Sequence, residues 1–359
     1  MKEYIAFDSH KHYTLAETEE VETGKTLQQR INHQPGAIRR FLQRHGAVPG
    51  TAVAVEATGN WYWIVDEIEQ AGFLPLLVHP RKAKLMMGMV NKTDALDVHG
   101  LNRLQRNGVL PTVWVPPAPL RDLREVTRTR LVFVQARTRM KNRITATLSK
   151  YGLRVEGARD AYAQKARAEL AEKIGRLPLQ TQTVTGMMWS QVRFADEQVR
   201  VLEKLLREMV RLTPEMRLLK TLPGVADLLA STIALEIGTI DRFASAERLA
   251  SYAGTTPRVH SSGGKTRYGQ LRPDVNRYLR WAYVEAANSP SSRRRTDPAP
   301  HVAVLYQRLK QRRGHAKAIG AVARHLAEAS YHILTKKEPY RDPQLRQRSS
   351  QGGASARTS

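Results

Sequence analysis

The sequence predicts a mixed α/β domain at the N-terminus, then a long helical arm and a mainly helical C-terminal domain. Short apolar segments typical of strands alternate with helical segments up to about residue 115. The proline pair Pro116-Pro117 then ends any helix. Beyond it, Leu120–Tyr151 contains neither proline nor glycine, and apolar residues at helical spacing recur from Leu218 onward.

The first domain begins with two strand-like segments, Tyr4–Asp8 and Tyr13–Ala16, on either side of a polar turn. This pattern predicts a β-hairpin. Two further short apolar strands are predicted at Thr51–Glu56 and Leu74–Val78. Helical spacing predicts three helices in the same domain, at Leu27–His45, Trp61–Ala71 and Thr93–Arg106.

The second region carries the helical arm. Leu120–Tyr151 holds nine basic and two acidic residues, and a second helix is predicted at Phe194–Leu212. The two are predicted to form a short coiled-coil arm or a helical pair, which either mediates dimerisation or packs within the chain. The helices predicted after the arm are Leu228–Leu235, Ala246–Tyr252, Val275–Ala287, His301–Arg312 and Ile319–Thr335.

The charge is concentrated after the proline pair. The chain has 359 residues and a net charge of +25, yet residues 1–115 hold 13 basic and 12 acidic side chains. Four regions are predicted: a domain at 1–115, the basic arm at 116–215, a helical domain at 216–335 and a disordered basic tail at 336–359. The cluster Arg293-Arg294-Arg295 is predicted to lie in a loop.

This composition excludes several classes of protein. An excess of basic charge this large points to a polyanionic partner, either a nucleic acid or an anionic membrane surface. The absence of cysteine excludes disulfide scaffolds, Cys zinc sites and thiol nucleophiles. No apolar segment is long enough to span a bilayer, and the N-terminus lacks the apolar core of a signal peptide. We expect a cytoplasmic protein that does not bind membranes.

Four carboxylates stand at the ends of predicted elements in the first domain. Asp8 ends the first strand, Glu56 ends the central strand, and Asp94 and Asp97 share a face at a helix start. Oxygen ligands that converge at one sheet edge suit Mg²⁺, and two such ions can act on one phosphodiester. Taken singly, Asp8 and Asp94 also fit caps, and Glu56 fits an ion pair with a lysine.

A second chemical feature is the segment Thr255–Arg267, which joins two predicted helices. Gly263 and Gly264 allow a phosphate to approach the backbone closely. A serine beside them is a candidate nucleophile on phosphorus, with nearby cations stabilising the developing charge. The alternative is a flexible loop that only contacts the DNA backbone. The basic residues of the segment are Arg258, Lys265 and Arg267.

Two further features favour nucleic-acid binding. The segment Leu222-Pro223-Gly224-Val225 is similar to the turn of a helix–hairpin–helix motif, in which amides around Gly224 bind a DNA phosphate. The long basic helix suits the backbone of a helical RNA or DNA. Its candidate contacts are Arg124, Arg128, Arg137 and Lys141.

Taken in order, these motifs resemble those of the DEDD transposases of the "one-ten" group of bacterial insertion sequences, also called bridge recombinases. The resemblance covers roughly residues 3–335. It is carried by Ala6-Phe7-Asp8, Glu56-Ala57-Thr58-Gly59, Asn91-Lys92-Thr93-Asp94-Ala95-Leu96-Asp97, Leu222-Pro223-Gly224-Val225, Thr255-Thr256-Pro257-Arg258 and Ser262-Gly263.

The resemblance implies a RuvC-like, ribonuclease-H-type first domain, a coiled-coil region and a C-terminal transposase domain with a nucleophilic serine. By matching motif, Asp8, Glu56, Asp94 and Asp97 would bind Mg²⁺. Ser262 would be the nucleophile, with its neighbour Ser261 as the alternative. Members of the group recombine DNA through a phosphoserine–DNA intermediate.

The resemblance also implies partners. Members use a structured noncoding RNA to select donor and target DNA. They assemble as oligomers, here a dimer or tetramer, in which acids and serine of different subunits form one site. The setting would be the bacterial cytoplasm, at the nucleoid during transposition. Two other hypotheses stay open: a metal-dependent nuclease or junction resolvase that uses water, and a non-catalytic nucleic-acid-binding protein.

Overall fold

The computed structural model describes residues 3–44, 50–88, 93–156, 160–209, 212–271, 275–291 and 300–343. The chain divides into two compact units, Met1–Pro116 and Pro117–Ser359. The predicted loop at Arg293–Arg295, the residues Asn91 and Lys92 of the acidic motif, and the tail beyond residue 343 lie outside the described residues.

The first unit is built on a five-stranded sheet with the strand order β3-β2-β1-β4-β5. The first three strands are antiparallel, so the predicted hairpin is confirmed, while β4 and β5 run parallel to β1. The strands are β1 (Glu3–Ser9), β2 (Tyr13–Glu20), β3 (Thr26–Asn32), β4 (Ala52–Glu56) and β5 (Leu74–Val78).

Helices cover both faces of this sheet: α1 (Ala37–Arg44), α2 (Trp61–Gln70), α3 (Pro80–Met87) and α4 (Asp94–Arg106). Phe7 and Val55 pack with residues of α1 and α2 on one face. Ala6 and Ala54 pack with Val98 of α4 on the other. Because side chains alternate along a strand, the residues that follow Phe7 and Val55 lie on the α4 face. These residues are Asp8 and Glu56.

The helix predicted at Leu27–His45 is wrong in its first half. Thr26–Asn32 forms β3, an edge strand whose side chains are exposed except for Ile31. Its backbone pairs in register with β2 along its whole length. Pro35 and Gly36 follow, and the helix begins only at Ala37. The segment forms a strand despite its helical spacing because its backbone pairs with β2. An exposed edge strand does not need alternating apolar side chains, so its sequence carries little strand signal.

The second unit opens with two long antiparallel helices. They are α5 (Ala118–Lys150) and α7 (Leu179–Met209), with the short α6 (Arg167–Gly175) between them. Arg130 pairs with Glu203, and Arg137 pairs with Asp196 further along, each at 2.6–2.7 Å. The helix predicted at Phe194–Leu212 is longer in the structure and begins at Leu179. Its first half is polar and contains Gly186, and packing of Val192 with Ile144 compensates for that weak helical propensity.

In the described residues, six α-helices and a hairpin make up most of the rest of the unit. The helices are α8 (Pro214–Leu219), α9 (Asp227–Ile237), α10 (Ala246–Tyr252), α11 (Arg277–Ser291), α12 (His301–Arg313) and α13 (His315–Lys336). Strands β6 (Pro257–Ser262) and β7 (Lys265–Leu271) form the hairpin. The core includes Tyr283, Leu279 and Leu326, all fully buried. Within the part of the chain that the structure describes, no helix has the length and apolar character needed to cross a bilayer.

The beginning of the predicted disordered tail is ordered instead. The Tyr340 amide donates a hydrogen bond to Thr221 Oγ1 at 2.8 Å, and Asp342 accepts one from the His301 amide at 2.9 Å. The Tyr340 ring packs against the core of the helical domain. The packing of an aromatic ring and two hydrogen bonds thus hold residues that the composition predicted as tail.

Candidate functional site

Glu56 ends β4, and Asp8 is the last residue but one of β1, the neighbouring parallel strand. Phe7 pairs with Val55 in the register between β1 and β4, so the next residue of each strand reaches the same sheet edge. Asp8 is only 5% exposed, and Glu56 is half-buried. The strand pairing thus brings two of the four predicted acids to one place.

The start of α4 brings a third acid to this edge. Thr93 caps the helix, its Oγ1 accepting a hydrogen bond from the Leu96 amide at 3.2 Å. Val98 then packs on the sheet face that carries Asp8. Asp94, in the first turn, accepts a hydrogen bond from the Tyr13 hydroxyl at 2.7 Å. Asp97 lies in the same first turn of the helix.

A histidine that the sequence did not single out lies between the two nearest acids. His10 Nε2 is 3.2 Å from Asp8 Oδ2 and 3.2 Å from Asp94 Oδ2. One ligand atom from each of these three residues lies within 4.8 Å of the others. Glu56 and Asp97 are not part of this close group. The sequence offered one indication of this role, because His10 follows Asp8 by two residues in the predicted turn of the hairpin.

The electrostatics of the group favour a cation. Burial raises the pKa of Asp8, His10 opposes that rise, and the charges of Asp94 and Asp97 add to it. The hydrogen bond to Asp94 raises the pKa of Tyr13. Buried carboxylates that repel one another are stabilised by a divalent ion, and oxygen ligands with one imidazole nitrogen suit such an ion. The donor set therefore fits a divalent metal ion.

The segment predicted to carry the nucleophilic serine lies in the β-hairpin of β6 and β7, called the serine hairpin below. Gly263 and Gly264 form its two-residue turn with φ angles of +56° and +74°, as a type I′ turn requires. Ser262 pairs with Lys265, His260 with Arg267, and Ser261 with Thr266. Directly paired residues share a face and successive residues alternate. Ser262 therefore shares its face with His260, Lys265 and Arg267, and Ser261 lies on the opposite face.

The predicted nucleic-acid contacts divide into two groups. Arg258, Lys265 and Arg267 are exposed on the hairpin. Arg124 is a correction, because it is 4% exposed and donates hydrogen bonds to the carbonyls of Leu235 and Glu236. Its guanidinium therefore bonds to groups inside the helical domain instead of facing a nucleic acid, and burial lowers its pKa.

The other three contacts predicted on α5 are engaged in part. Arg128 pairs with Glu236 and Arg137 with Asp196, both at 2.7 Å. The Lys141 ammonium lies 4.8 Å from the centre of the Tyr162 ring. Because both arginines already pair with acids of the same chain, they should attract a nucleic-acid phosphate less strongly than the sequence alone suggested.

Gly224 lies in the turn between α8 and α9, with a φ of +81°. The two helices and the turn agree with a helix–hairpin–helix arrangement. The first turn of α9 carries Asp227, which pairs with Lys220 at 2.5 Å. An acid at a helix N-terminus satisfies the helix dipole itself, so a phosphate there would compete with Asp227.

Two family models match the chain along most of its described length. A DEDD transposase model of IS110 type matches residues 5–153, and a model described as transposase IS116/IS110/IS902 family matches residues 216–302. The first spans the strands and helix that carry all four acids, and the second contains the serine hairpin. The chain belongs to the IS110/IS116/IS902 family of DEDD transposases. It is an insertion-sequence transposase, an enzyme that recombines DNA.

Relatives of this transposase carry related names. The transposase for insertion sequence element IS1111A of Coxiella burnetii is 25% identical over 295 residues, which is 80% of this chain and 79% of the relative. A probable family 20 transposase of Pseudomonas aeruginosa is 24% identical, covering 70% and 74%. A pilin gene-inverting protein of Moraxella bovis is 25% identical, covering 65% of each.

Membership confirms the coarser expectations from the sequence. The transposase has a mixed α/β N-terminal domain with a five-stranded sheet, followed by a helical region. A DEDD transposase uses a divalent metal ion, and the acidic cluster is present at the edge of that sheet.

Proposed function

We propose that this transposase cuts and rejoins DNA through a covalent bond between Ser262 and a DNA phosphate. Mg²⁺ held by the acidic cluster assists the reaction, and a structured RNA encoded by the element selects the DNA sites. The observation that carries the proposal is the register of the serine hairpin, which groups Ser262 with three basic or titratable side chains on one face.

This grouping supports the choice between the two serines. Lys265, directly opposite Ser262, and Arg267, two residues further along, provide positive charge on the face of the Ser262 hydroxyl. A phosphate at that face gains charge-assisted hydrogen bonds as negative charge develops. Ser261 lies on the other face of the strand.

The proposed step exchanges one phosphate ester bond for another. Ser262 Oγ attacks phosphorus and forms a new P–O bond, while its proton passes to a base or to solvent. The P–O bond to the leaving sugar oxygen breaks, and that oxygen takes up a proton. Attack by a DNA hydroxyl on the phosphoserine later reverses the exchange and frees Ser262. Rejoining needs no external energy because no ester bond is lost to water.

The acids are proposed as the ligands of the metal. Asp8 and Asp94 present oxygens within 4.8 Å of each other. Glu56 lies at the sheet edge of Asp8, and Asp97 lies in the helix turn of Asp94. Bound there, Mg²⁺ would stabilise charge on the phosphate oxygens. The four side chains hold and orient the ion, and burial of Asp8 keeps that part of the site dry.

Charge supports a nucleic-acid partner in addition to the substrate DNA. Residues 116–359 hold nearly all of the excess positive charge of the chain. Arg139 and Arg143 on α5 are exposed, unlike Arg124, so they are the better candidates on that helix for an RNA backbone. We further propose that the transposase works as a dimer or tetramer at the nucleoid of a bacterial cytoplasm.

A denaturing gel tests the proposal directly. Purified full-length protein is incubated with Mg²⁺, end-labelled DNA carrying the junction of the element, and total RNA from a host that contains the element. We expect a protein–DNA adduct that survives denaturation and is lost in Ser262→Ala. Ser261→Ala is the matched control, because it removes the same hydroxyl from the opposite face of the same strand.

The other outcomes select other mechanisms. Loss of the adduct in Ser261→Ala alone would move the nucleophile by one residue. Cut DNA without any adduct, abolished by Asp8→Ala, would show a hydrolytic nuclease. Omitting the RNA should prevent the adduct, and an adduct of equal yield without RNA would contradict RNA guidance.

A further inference from the structure

The position of His10 is determined from three sides. Its amide donates a hydrogen bond to the Tyr13 carbonyl at 2.8 Å, and its carbonyl accepts one from Asn60 Nδ2 at 2.8 Å. Its ring stacks on Tyr13 with the ring centres 4.6 Å apart. Tyr13 in turn donates to Asp94. The imidazole is therefore oriented before any ion arrives, which lowers the entropic cost of using it as a ligand.

The nitrogen that faces the acids has no hydrogen bond. His10 Nε2 is buried, and neither of its 3.2 Å contacts with Asp8 and Asp94 has hydrogen-bond geometry. His33, on the same unit, shows the contrast. Its Nε2 lies 2.8 Å from Thr14 Oγ1, and its Nδ1 lies 3.3 Å from the Lys11 carbonyl. Both nitrogens of His33 are thus occupied by protein groups, whereas the buried nitrogen of His10 points at two carboxylates.

We propose that His10 Nε2 is a direct ligand of the metal ion, alongside Asp8 and Asp94. The inference rests on the metal site of the proposed function and adds a nitrogen to its oxygen ligands. Ligand atoms from the three residues already lie within 4.8 Å of one another, so one ion reaches all three with small side-chain movements.

A nitrogen ligand changes the preferred metal. Mg²⁺ favours oxygen ligands and keeps several waters, while imidazole binds transition metals more strongly. The site of this transposase therefore prefers Mn²⁺ to Mg²⁺ by more than a set of carboxylates alone would. His10 supplies that preference, and the acids supply the charge.

Electron spin echo spectroscopy of bound Mn²⁺ tests this without any DNA or activity. The full-length protein is loaded with Mn²⁺, and the spectrum is examined for coupling to the ¹⁴N of an imidazole. We expect the coupling in the wild type and in His12→Gln, a matched control in which an exposed histidine of the same turn is removed. We expect it to be absent in His10→Gln.

Calorimetric titration gives the second measurement. His10→Gln should weaken Mn²⁺ binding by about tenfold and Mg²⁺ binding by less. Wild-type protein that binds Mn²⁺ without ¹⁴N coupling would overturn the inference. So would tighter Mn²⁺ binding by His10→Gln, because His10 would then be a protonated group that competes with the ion. Mn²⁺ binding that survives unchanged in Asp8→Asn would instead place the ion elsewhere, and the proposed metal site itself would fail.

Discussion

Arg128 donates two hydrogen bonds to the carboxylate of Glu236, at 2.7 Å and 2.9 Å, across 108 positions of sequence. Glu236 is fully buried. Asn276 Nδ2 donates a third hydrogen bond to the same carboxylate at 2.7 Å, and Asn276 Oδ1 accepts one from the Leu279 amide at the start of α11. This network thus links α5 and α9 to the point where the chain re-enters the helical domain after the serine hairpin.

Truncating Arg128 should strongly destabilise the helical domain. Arg128→Ala removes two hydrogen bonds from the buried carboxylate of Glu236 and leaves Arg124, 3.8 Å away, as its nearby guanidinium. Losing one partner of such a buried pair costs about 3 kcal/mol. Urea unfolding followed by circular dichroism measures the change. Arg324→Ala is the control, because Arg324 makes a 2.7 Å pair with Glu328 one turn along the same helix, and both side chains are partly exposed. It should cost under about 1 kcal/mol, and equal losses would contradict the prediction.

Replacing Asp8 should stabilise the metal-free protein while removing its response to metal. Burial and the charges of Asp94 and Asp97 raise the pKa of Asp8, so its ionised form costs stability at neutral pH. Asp8→Asn removes that charge. We expect its metal-free melting temperature to exceed that of the wild type by about 2 °C. Mg²⁺ should raise the melting temperature of the wild type but not that of Asp8→Asn.

Asp122→Asn provides the comparison for this experiment, because Asp122 is exposed on α5. It should melt like the wild type and keep its stabilisation by Mg²⁺. A metal-free Asp8→Asn protein that melts below the wild type would show that the His10 contact outweighs burial and repulsion.

The backbone conformation of Gly263, in the turn of the serine hairpin, should determine which residues can replace it. A Cβ at Gly263 would meet no other atom within 4 Å, so only its φ of +56° restricts the choice. Asparagine tolerates that conformation, and a β-branched residue does not. Gly263→Asn should form the covalent adduct within about twofold of the wild-type rate, and Gly263→Val about tenfold more slowly. Equal rates for the two variants would show that the turn does not position Ser262.

Acidification should destabilise the helical domain partly through His325. Burial first, and then the nearby His301, lower the pKa of His325 below its ordinary 6.5. Because the folded state disfavours the proton, the unfolded chain takes it up first, and stability falls as the pH drops below about 6.5. Urea midpoints at pH 7.5 and pH 5.5 should move less in His325→Asn than in the wild type. His301→Asn should reduce the shift by a smaller amount, and parallel shifts in all three proteins would contradict this assignment.

Much of the first domain was predictable because its elements obey local rules. The strand Ala52–Glu56 and the helix Asp94–Arg106 agree closely with their apolar patterns. The placement of Asp8 and Glu56 at one sheet edge follows from the parallel pairing of β1 and β4 near their carboxyl ends. The capping of α4 by Thr93 is likewise a short-range effect.

Elements that depend on distant partners were predicted less well. β3 lacks an alternating apolar pattern and exists because β2 provides a ladder for its backbone. The polar first half of α7 is helical because it packs against α5 and α6. His10 is one of several polar residues in a turn, and only the stacking on Tyr13 directs its ring toward the acids.

The sequence by itself determined the family of this transposase, the uneven distribution of its charge, and the four acids and the serine that its motifs mark. Those properties reside in the order and type of residues. The tertiary structure decided that Arg124 is buried, that Ser262 shares a face with Lys265, and that His10 lies between two carboxylates. The physical reason is that burial, strand register and ring orientation depend on contacts between elements, some more than 100 residues apart, which no local pattern contains.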